Sequence, residues 1–358
     1  MNLGHRIISA AAMLLITVMP ALSTAEPMGG SGLAKAQEPK AAEHRPVLLI
    51  SIDGLSPDTL TSSAHADLNI PVLRGLMQEG SYADRVINVN PTVTNPNHTS
   101  LVTGVSPARH GVFNNRPFSP TAKLPGSYSQ YKSIKAPTLW YAAKEGGLGT
   151  ASLYWPVTRE SDDIDVNIIS GNSKDDEQIT NDAVRIIAKH RPHLMTVHYV
   201  SYDSTQHEYG RGSPEGFESL ERIDDQIGKL LSAFRAENAR GVIAIASDHG
   251  FDRTIREVNL NVAFADAGFI TFTDETRSEV RSWRAFAWYV GASAMVVLND
   301  PSDPALDAEV GDFLRMLAQR PDSGIEDILS PEILAQSGLS DQARFVIALK
   351  PGYRMGNA

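Results

Sequence analysis

The stretch PVLLISIDG, Pro46–Gly54, decides the fold. Val47 to Ile50 form an unbroken apolar run, and an acid, Asp53, follows just before a glycine. A run with no polar alternation reads as a strand covered on both faces, the mark of a parallel sheet. The same wording returns downstream. HLMTVHYVSYD (His193–Asp203) and GVIAIASDHG (Gly241–Gly250) are also apolar runs that end in an acid, and GTASLYWP (Gly149–Pro156) is a further strand candidate. Between them lie amphipathic stretches: Pro71–Gly80, Ala136–Gly147, Asp176–Pro192 and the long Gly216–Ala239. Strands alternating with helices imply parallel crossovers and an α/β sheet with helices on both sides. YADRVINV (Tyr82–Val89), GASAMVVLND (Gly291–Asp300) and the closing ARFVIALKPGYRMGNA (Ala343–Ala358) are expected to add strands. The Pro-, Ser- and Tyr-rich segment 115–135 and the weakly patterned segment 251–284 are expected to form a rim or cap over the site.

The chain has 358 residues and is 42% hydrophobic, enough for one large α/β domain with room for a subsidiary lobe. A net charge of -10 excludes binding to a nucleic-acid duplex through its phosphates, although a metal-assisted phosphorylated substrate stays open. The opening MNLGHRIISAAAMLLITVMPALSTAEP has the make-up of an export signal ending at Ala25, which predicts a secreted or periplasmic protein. Its apolar run is too short for a stable membrane span. Residues 26–44 read as a flexible leader and 45–358 as the folded domain. With no cysteine, neither disulfides nor thiolate chemistry are available.

In an open parallel sheet, ligands bind beyond the carboxyl ends of the strands. Asp53, Asp203 and Asp248 all stand at such ends; His249 follows Asp248, and His207 lies four residues after Asp203. Carboxylates with imidazoles and no thiolate suit zinc best, with manganese or iron as weaker options. Each piece has a plain reading too, as a turn at Asp53 or a helix cap at Asp203 or Asp248. Their joint occurrence points to a metal site. Ahead of a helix, PTVTNPNHTSLVTG (Pro91–Gly104) offers the hydroxyls of Thr92, Thr94, Thr99, Ser100 and Thr103. Pro96 predicts an extended Asn95 with the helix starting after it, and either Asn97 or Thr94 could serve as its cap. His98 and His110 are expected to make helix-start or core hydrogen bonds.

SIDG, PTVTNPNHTSLVTG, ARHGVFNN, YDSTQHEYG and SDHG, in this order, resemble the nucleotide pyrophosphatase/phosphodiesterase family of the alkaline phosphatase superfamily, over about Leu48–Gly250. The resemblance implies a three-layer α/β/α sandwich with a mostly parallel central sheet and two zinc ions. It implies that Thr94 is the nucleophile and, with Asp53, Asp248 and His249, a ligand of one metal. Asp203 and His207 match two ligands of the other, and Asn115 matches the residue that holds a phosphoryl oxygen. The substrate would be a small phosphorylated diester, such as a nucleotide. Asn95 stands where the family usually carries an aromatic residue against the base, a position that makes it a substrate contact. After His249 no histidine follows, so a third histidine for the second metal is missing and the domain is expected to be C-terminally incomplete. These departures favour, as alternatives, a phosphomonoesterase or phosphonate hydrolase, or an impaired paralogue that binds phosphate or a metal.

Overall fold

The computed structural model describes residues 44–121, 123, 125–169, 175–330, 340 and 342–356. The expected export signal, and the leader up to residue 43, lie outside the described residues. Strands β1 (Val47–Ile52), β2 (Thr150–Leu153), β3 (Val166–Ile168), β4 (Leu194–Tyr199) and β5 (Val242–Ala246) form one parallel sheet in the order β3-β2-β4-β1-β5. β1 shows why its run is unbroken. Leu48, Ile50 and Ile52 are buried in a core shared with the helices Asp176–His190 and Pro214–Glu237, while Val47 and Leu49 pack on the other face with Val102, Trp140 and Trp155. The expected α/β architecture, with helices on both faces of a parallel sheet, is therefore present.

The helix Pro214–Glu237 owes its length to one stripe, Leu220, Ile223, Ile227, Leu230, Leu231 and Phe234, at three- and four-residue spacing. Ser213 caps its start by accepting from the Gly216 amide, and Pro214 occupies the first turn, where no amide hydrogen is needed. Two buried carboxylates lock helix starts to this layer. Asp224 accepts from the Val72 and Leu73 amides at 2.9 and 2.8 Å, pinning the helix Pro71–Glu79. Asp176 accepts from the Val200 amide at 3.2 Å and from the Ser201 hydroxyl, which anchors the helix Ser201–Tyr209 directly behind β4.

From β6 (Arg256–Val258) onward the chain builds a different kind of lobe. β7 (Ile270–Phe272) pairs with β8 (Val280–Trp283). β9 (Ala285–Val290), β10 (Ser293–Leu298), β11 (Ile325–Leu329) and β12 (Phe345–Leu349) form an antiparallel sheet in the order β11-β12-β10-β9. β13 (Tyr353–Met355) runs parallel to β6. This lobe has its own core, with Phe264, Val296, Val310, Leu314 and Ile347 fully buried. The strands expected in 291–300 and 343–358 are thus found, as β10 and as β12 with β13, in an antiparallel sheet separate from the parallel one. The strand expected at Tyr82–Val89 is absent. Val86 and Ile87 are 72% and 95% exposed, and backbone bonds near the end of this segment go to side chains, Asn97 accepting from Val89 N. Among the described residues, no helix is long and apolar enough to cross a membrane.

His110 is a core histidine, as expected. Its Nδ1 accepts from the Val112 amide and its Nε2 faces the Ser100 hydroxyl at 3.0 Å, with no surface exposed. Burial lowers it from 6.5 to about 4. Between those values the unfolded chain binds a proton that the folded chain refuses, so stability rises with pH through this window and is complete above it. Acidification from pH 6.5 to 4 is expected to remove up to about 3 kcal/mol through this residue. Urea unfolding of wild type and His110→Gln across that range should show a shallower slope for the variant.

Candidate metal-centred active site

The order β4-β1-β5 puts three acid-bearing strand ends side by side. Asp53 leaves β1, Asp248 and His249 leave β5, and Asp203 and His207 lie one turn apart on the helix that follows β4. Their convergence agrees with the reading from the strand ends. His249 Nε2 is 3.3 Å from Asp53 Oδ1 and 3.3 Å from Asp248 Oδ2. Single ligand atoms of Asp53, Asp248 and His249 all fall within 4.8 Å of one another, the one such group of three among the described residues. His207 Nε2 lies 3.5 Å from Asp203 Oδ1, so this pair stands beside the group as a two-ligand set.

The turn after β1 makes the approach possible. Gly54 has φ of +71°, its amide donates to Asp248 Oδ1 at 3.2 Å, and a methyl group there would sit 2.7 Å from the Phe251 ring. Gln206 holds the turn from the other side by donating to the Gly54 carbonyl at 3.1 Å. The Asn88 amide donates to the Asp248 carbonyl. The acidic ends of β1 and β5 are therefore fastened to each other through backbone groups.

The chemistry of the donor set fits a divalent cation. Asp53 Oδ1, Asp203 Oδ1 and Asp248 Oδ2 are buried oxygens without a hydrogen-bond partner, an arrangement that is costly unless a cation is present. Burial pushes the Asp53 carboxyl well above its usual range, and the charges of Asp248 and Asp203 push it further. Burial raises Asp203 as well. Burial would also raise Asp248, but the imidazoles of His98 and His249 beside it hold its carboxyl below the ordinary range.

The helix Thr94–Thr103 begins earlier than the extended residue expected at Asn95. Pro96 falls in the first turn, where its missing amide hydrogen is not required, so it does not delay the helix. Neither Asn97 nor Thr94 caps it; Val93 precedes the helix, and Asn97 turns back to donate to the carbonyls of Val89, Pro91 and Val93. This separates the five hydroxyls. Thr99 and Thr103 donate to carbonyls four residues back, and Ser100 faces His110. Thr92 and Thr94 reach the cleft, and Thr94 Oγ1 stands 3.3 Å from His249 Nε2.

Asn115 lines the same cleft. Its Oδ1 accepts from the Asn95 amide hydrogen at 2.8 Å, which fixes the side chain and leaves its amide nitrogen for a ligand. Asn95, expected among the substrate contacts, is buried, and its amide nitrogen donates to the Asn115 and Tyr128 carbonyls and the Ser127 hydroxyl. It anchors the loop that carries Asn115. That loop and the segment after Gly250 both line the cleft, in keeping with the expected rim. The cleft has a volume of about 1040 Å³ and reaches Phe286, Trp288, Tyr289 and Tyr353 of the second lobe.

His198 was not legible as a site residue. It sits mid-strand in β4, where the polar letter in LMTVHY was the only signal. Its Nδ1 donates to the Tyr154 carbonyl and its Nε2 lies 3.0 Å from Asp53 Oδ2. Burial, reinforced by the neighbouring His98, lowers it to about 3.

The family model for type I phosphodiesterase / nucleotide pyrophosphatase matches residues 47–330, which includes every residue of the cluster. The chain belongs to that family. This type I phosphodiesterase-family chain is 30% identical over 239 residues to human ectonucleotide pyrophosphatase/phosphodiesterase family member 1, covering 61% of the chain and 24% of that protein. It therefore spans about a quarter of the length of this relative. Among solved structures, murine ectonucleotide pyrophosphatase/phosphodiesterase 5 aligns with a TM-score of 0.66 at 21% identity, over 87% of this chain and 80% of that one. The phosphonoacetate hydrolase of Sinorhizobium meliloti aligns with a TM-score of 0.65 at 18% identity, over 88% and 83%. Both likenesses show the shared alkaline phosphatase-like fold of this family member.

Proposed function

We propose that the protein is an exported, metal-dependent phosphodiesterase or nucleotide pyrophosphatase that works through a phosphothreonine intermediate on Thr94. The observation that carries this reading is the placement of Thr94 Oγ1, on a helix start, against the Asp53–Asp248–His249 group. Asp53, Asp248 and His249, with Thr94, would hold one zinc ion, and Asp203 with His207 a second, more weakly bound one. Zinc at these positions supplies positive charge that favours the threonine alkoxide and offsets charge on the phosphoryl oxygens.

The rest follows from the chain's own residues. Thr94 Oγ1 attacks phosphorus in line, the ester oxygen opposite leaves, and water later cleaves the Thr94 phosphoester. Asn115 donates its amide N–H to a non-bridging oxygen, a bond that strengthens as charge builds there. The aromatic wall of the cleft offers stacking for a base, which the buried Asn95 does not. A murine relative is described as inactive with a threonine replaced by alanine and as bound to AMP, which supports both an essential threonine and a nucleotide ligand in this family. The second reading, a phosphonate or phosphomonoester hydrolase, is favoured by Asn95 in place of an aromatic residue.

Rates on bis-(p-nitrophenyl) phosphate, p-nitrophenyl phosphate and phosphonoacetate, with zinc content measured, test these readings. Diester turnover that is abolished by chelation and restored by zinc is expected, and a zinc-loaded protein that leaves the diester intact would refute the first reading. Asn115→Ala is expected to lower kcat on the diester about 100-fold, the usual effect of losing one oxyanion donor, and to cost about 1 kcal/mol of stability because the buried Asn95 amide hydrogen loses its acceptor.

A further inference from the structure

His98 lies beneath the cluster, fully buried, one helical turn after Thr94. Its Nδ1 is 3.0 Å from the carbonyl oxygen of Thr94 and 3.3 Å from Asp248 Oδ2. A carbonyl oxygen can only accept, so Nδ1 carries the hydrogen and donates it to Thr94, while Asp248 Oδ2 stands close to the same nitrogen without a hydrogen bond of its own. Nε2 has no partner at all. The ring therefore contributes one polar function here, the Nδ1–H. Its orientation is fixed on all sides: the ring meets Trp155 edge-on at 4.9 Å and His198 at 4.3 Å, and the Trp155 indole N–H donates to the His98 carbonyl at 3.3 Å.

Asp248 reaches the cluster from β5, whereas Thr94 arrives on a helix from the opposite layer, 154 residues earlier in the chain. His98 approaches both. We propose that His98 is a positioning residue: its Nδ1–H is bonded to the backbone of the nucleophile, its polar edge faces the Asp248 carboxylate at 3.3 Å, and together these set their separation. The proposal rests on the functional reading above for the roles of Thr94 and Asp248. It does not depend on a charged imidazole, because one N–H of the neutral ring suffices.

A core histidine and a positioning histidine make opposite demands on a replacement. Leucine keeps most of the ring's volume and supplies no donor. Asparagine leaves a larger void but places an N–H close to the position of Nδ1. If the donor matters, His98→Leu should bind zinc about 10- to 100-fold more weakly, by competition with a chromophoric chelator, and lose a similar factor in kcat with KM within about twofold. His98→Asn should stay within about fivefold of wild type on both readouts. If packing is the whole role, the order inverts, because the void is the larger defect. Far-UV dichroism and the melting temperature are measured on both variants. A result in which His98→Leu equals or exceeds His98→Asn in zinc affinity and kcat would overturn the proposal, as would failure of both to fold. Zinc affinity is read without turnover, so an inactive wild type would count against the functional reading and leave this test intact.

Discussion

Thr94→Ala is expected to lose at least about a thousandfold in kcat on a phosphodiester, with the fold intact and the Asp53–Asp248–His249 group still able to hold zinc. The size of the effect follows from its place in the reaction. The neighbouring hydroxyls of its helix do not replace it: Thr99 and Thr103 are committed to helix carbonyls, and Ser100 to His110. Thr92 and Thr94 both line the cleft, and Thr94 Oγ1 is 3.3 Å from His249. The helix itself should tolerate alanine, since Thr94 makes no cap and alanine is a good helix former. Thr94→Ser would keep a hydroxyl and should retain a measurable part of the rate. Single-turnover assays with a chromogenic diester, run beside zinc analysis and circular dichroism, separate the chemical loss from loss of metal or fold. Wild-type turnover by the alanine variant would remove Thr94 from the mechanism.

Asp53→Asn is expected to act on function and on stability in opposite directions. Asp53 is buried and faces Asp248 and Asp203, and its carboxyl is raised well above the ordinary value of 3.8. An acid raised in the folded state holds a proton that the unfolded chain has released. Metal-free stability is therefore highest below 3.8 and falls as pH climbs through the raised folded value. Asparagine cannot ionise and so avoids that linked cost while keeping the shape and a polar contact to His198, so the metal-free variant should melt at least about 2 °C above metal-free wild type at pH 7. Zinc reverses the ranking. It binds the folded wild type and should raise its melting temperature in proportion to the logarithm of its concentration, while the variant gains little. Activity of Asp53→Asn should fall at least about a thousandfold because the ligand set is broken. Thermal scans with and without zinc check this crossing, and parallel shifts of the two proteins would show that Asp53 does not hold the metal.

The fold was legible where local composition and burial agree. The apolar runs in β1 and β4, and the stripe from Leu220 to Phe234, needed no tertiary information because each states its own environment; β5 carries a similar run but is the edge strand, with Val242 and Ala244 exposed. The second lobe was less legible. β7 and β8 carry exposed Thr271, Arg281 and Ser282, and their pairing joins residues whose periodicity is faint. Tyr82–Val89 failed in the other direction: its apolar letters suggested a strand, but no neighbouring strand takes up its backbone. Asn95 was read from its neighbour in sequence, whereas its partners are 20 to 33 residues away.

For the site, the chain's own text sufficed to name the acids, the two histidines and the hydroxyl-rich helix start, because strand ends in a parallel sheet share one edge whatever their order. The residues of that helix start left five hydroxyls open and the family resemblance singled out Thr94; the tertiary structure shows the physical reason, the rotational phase of a helix beginning at Thr94 instead of after Asn95. It alone brought His198 to Asp53 and His98 to Asp248, through the β4-β1 register and the packing of the helix across the sheet. Those contacts join residues more than a hundred positions apart, and a hydrogen bond depends on separation in space, which local sequence does not encode.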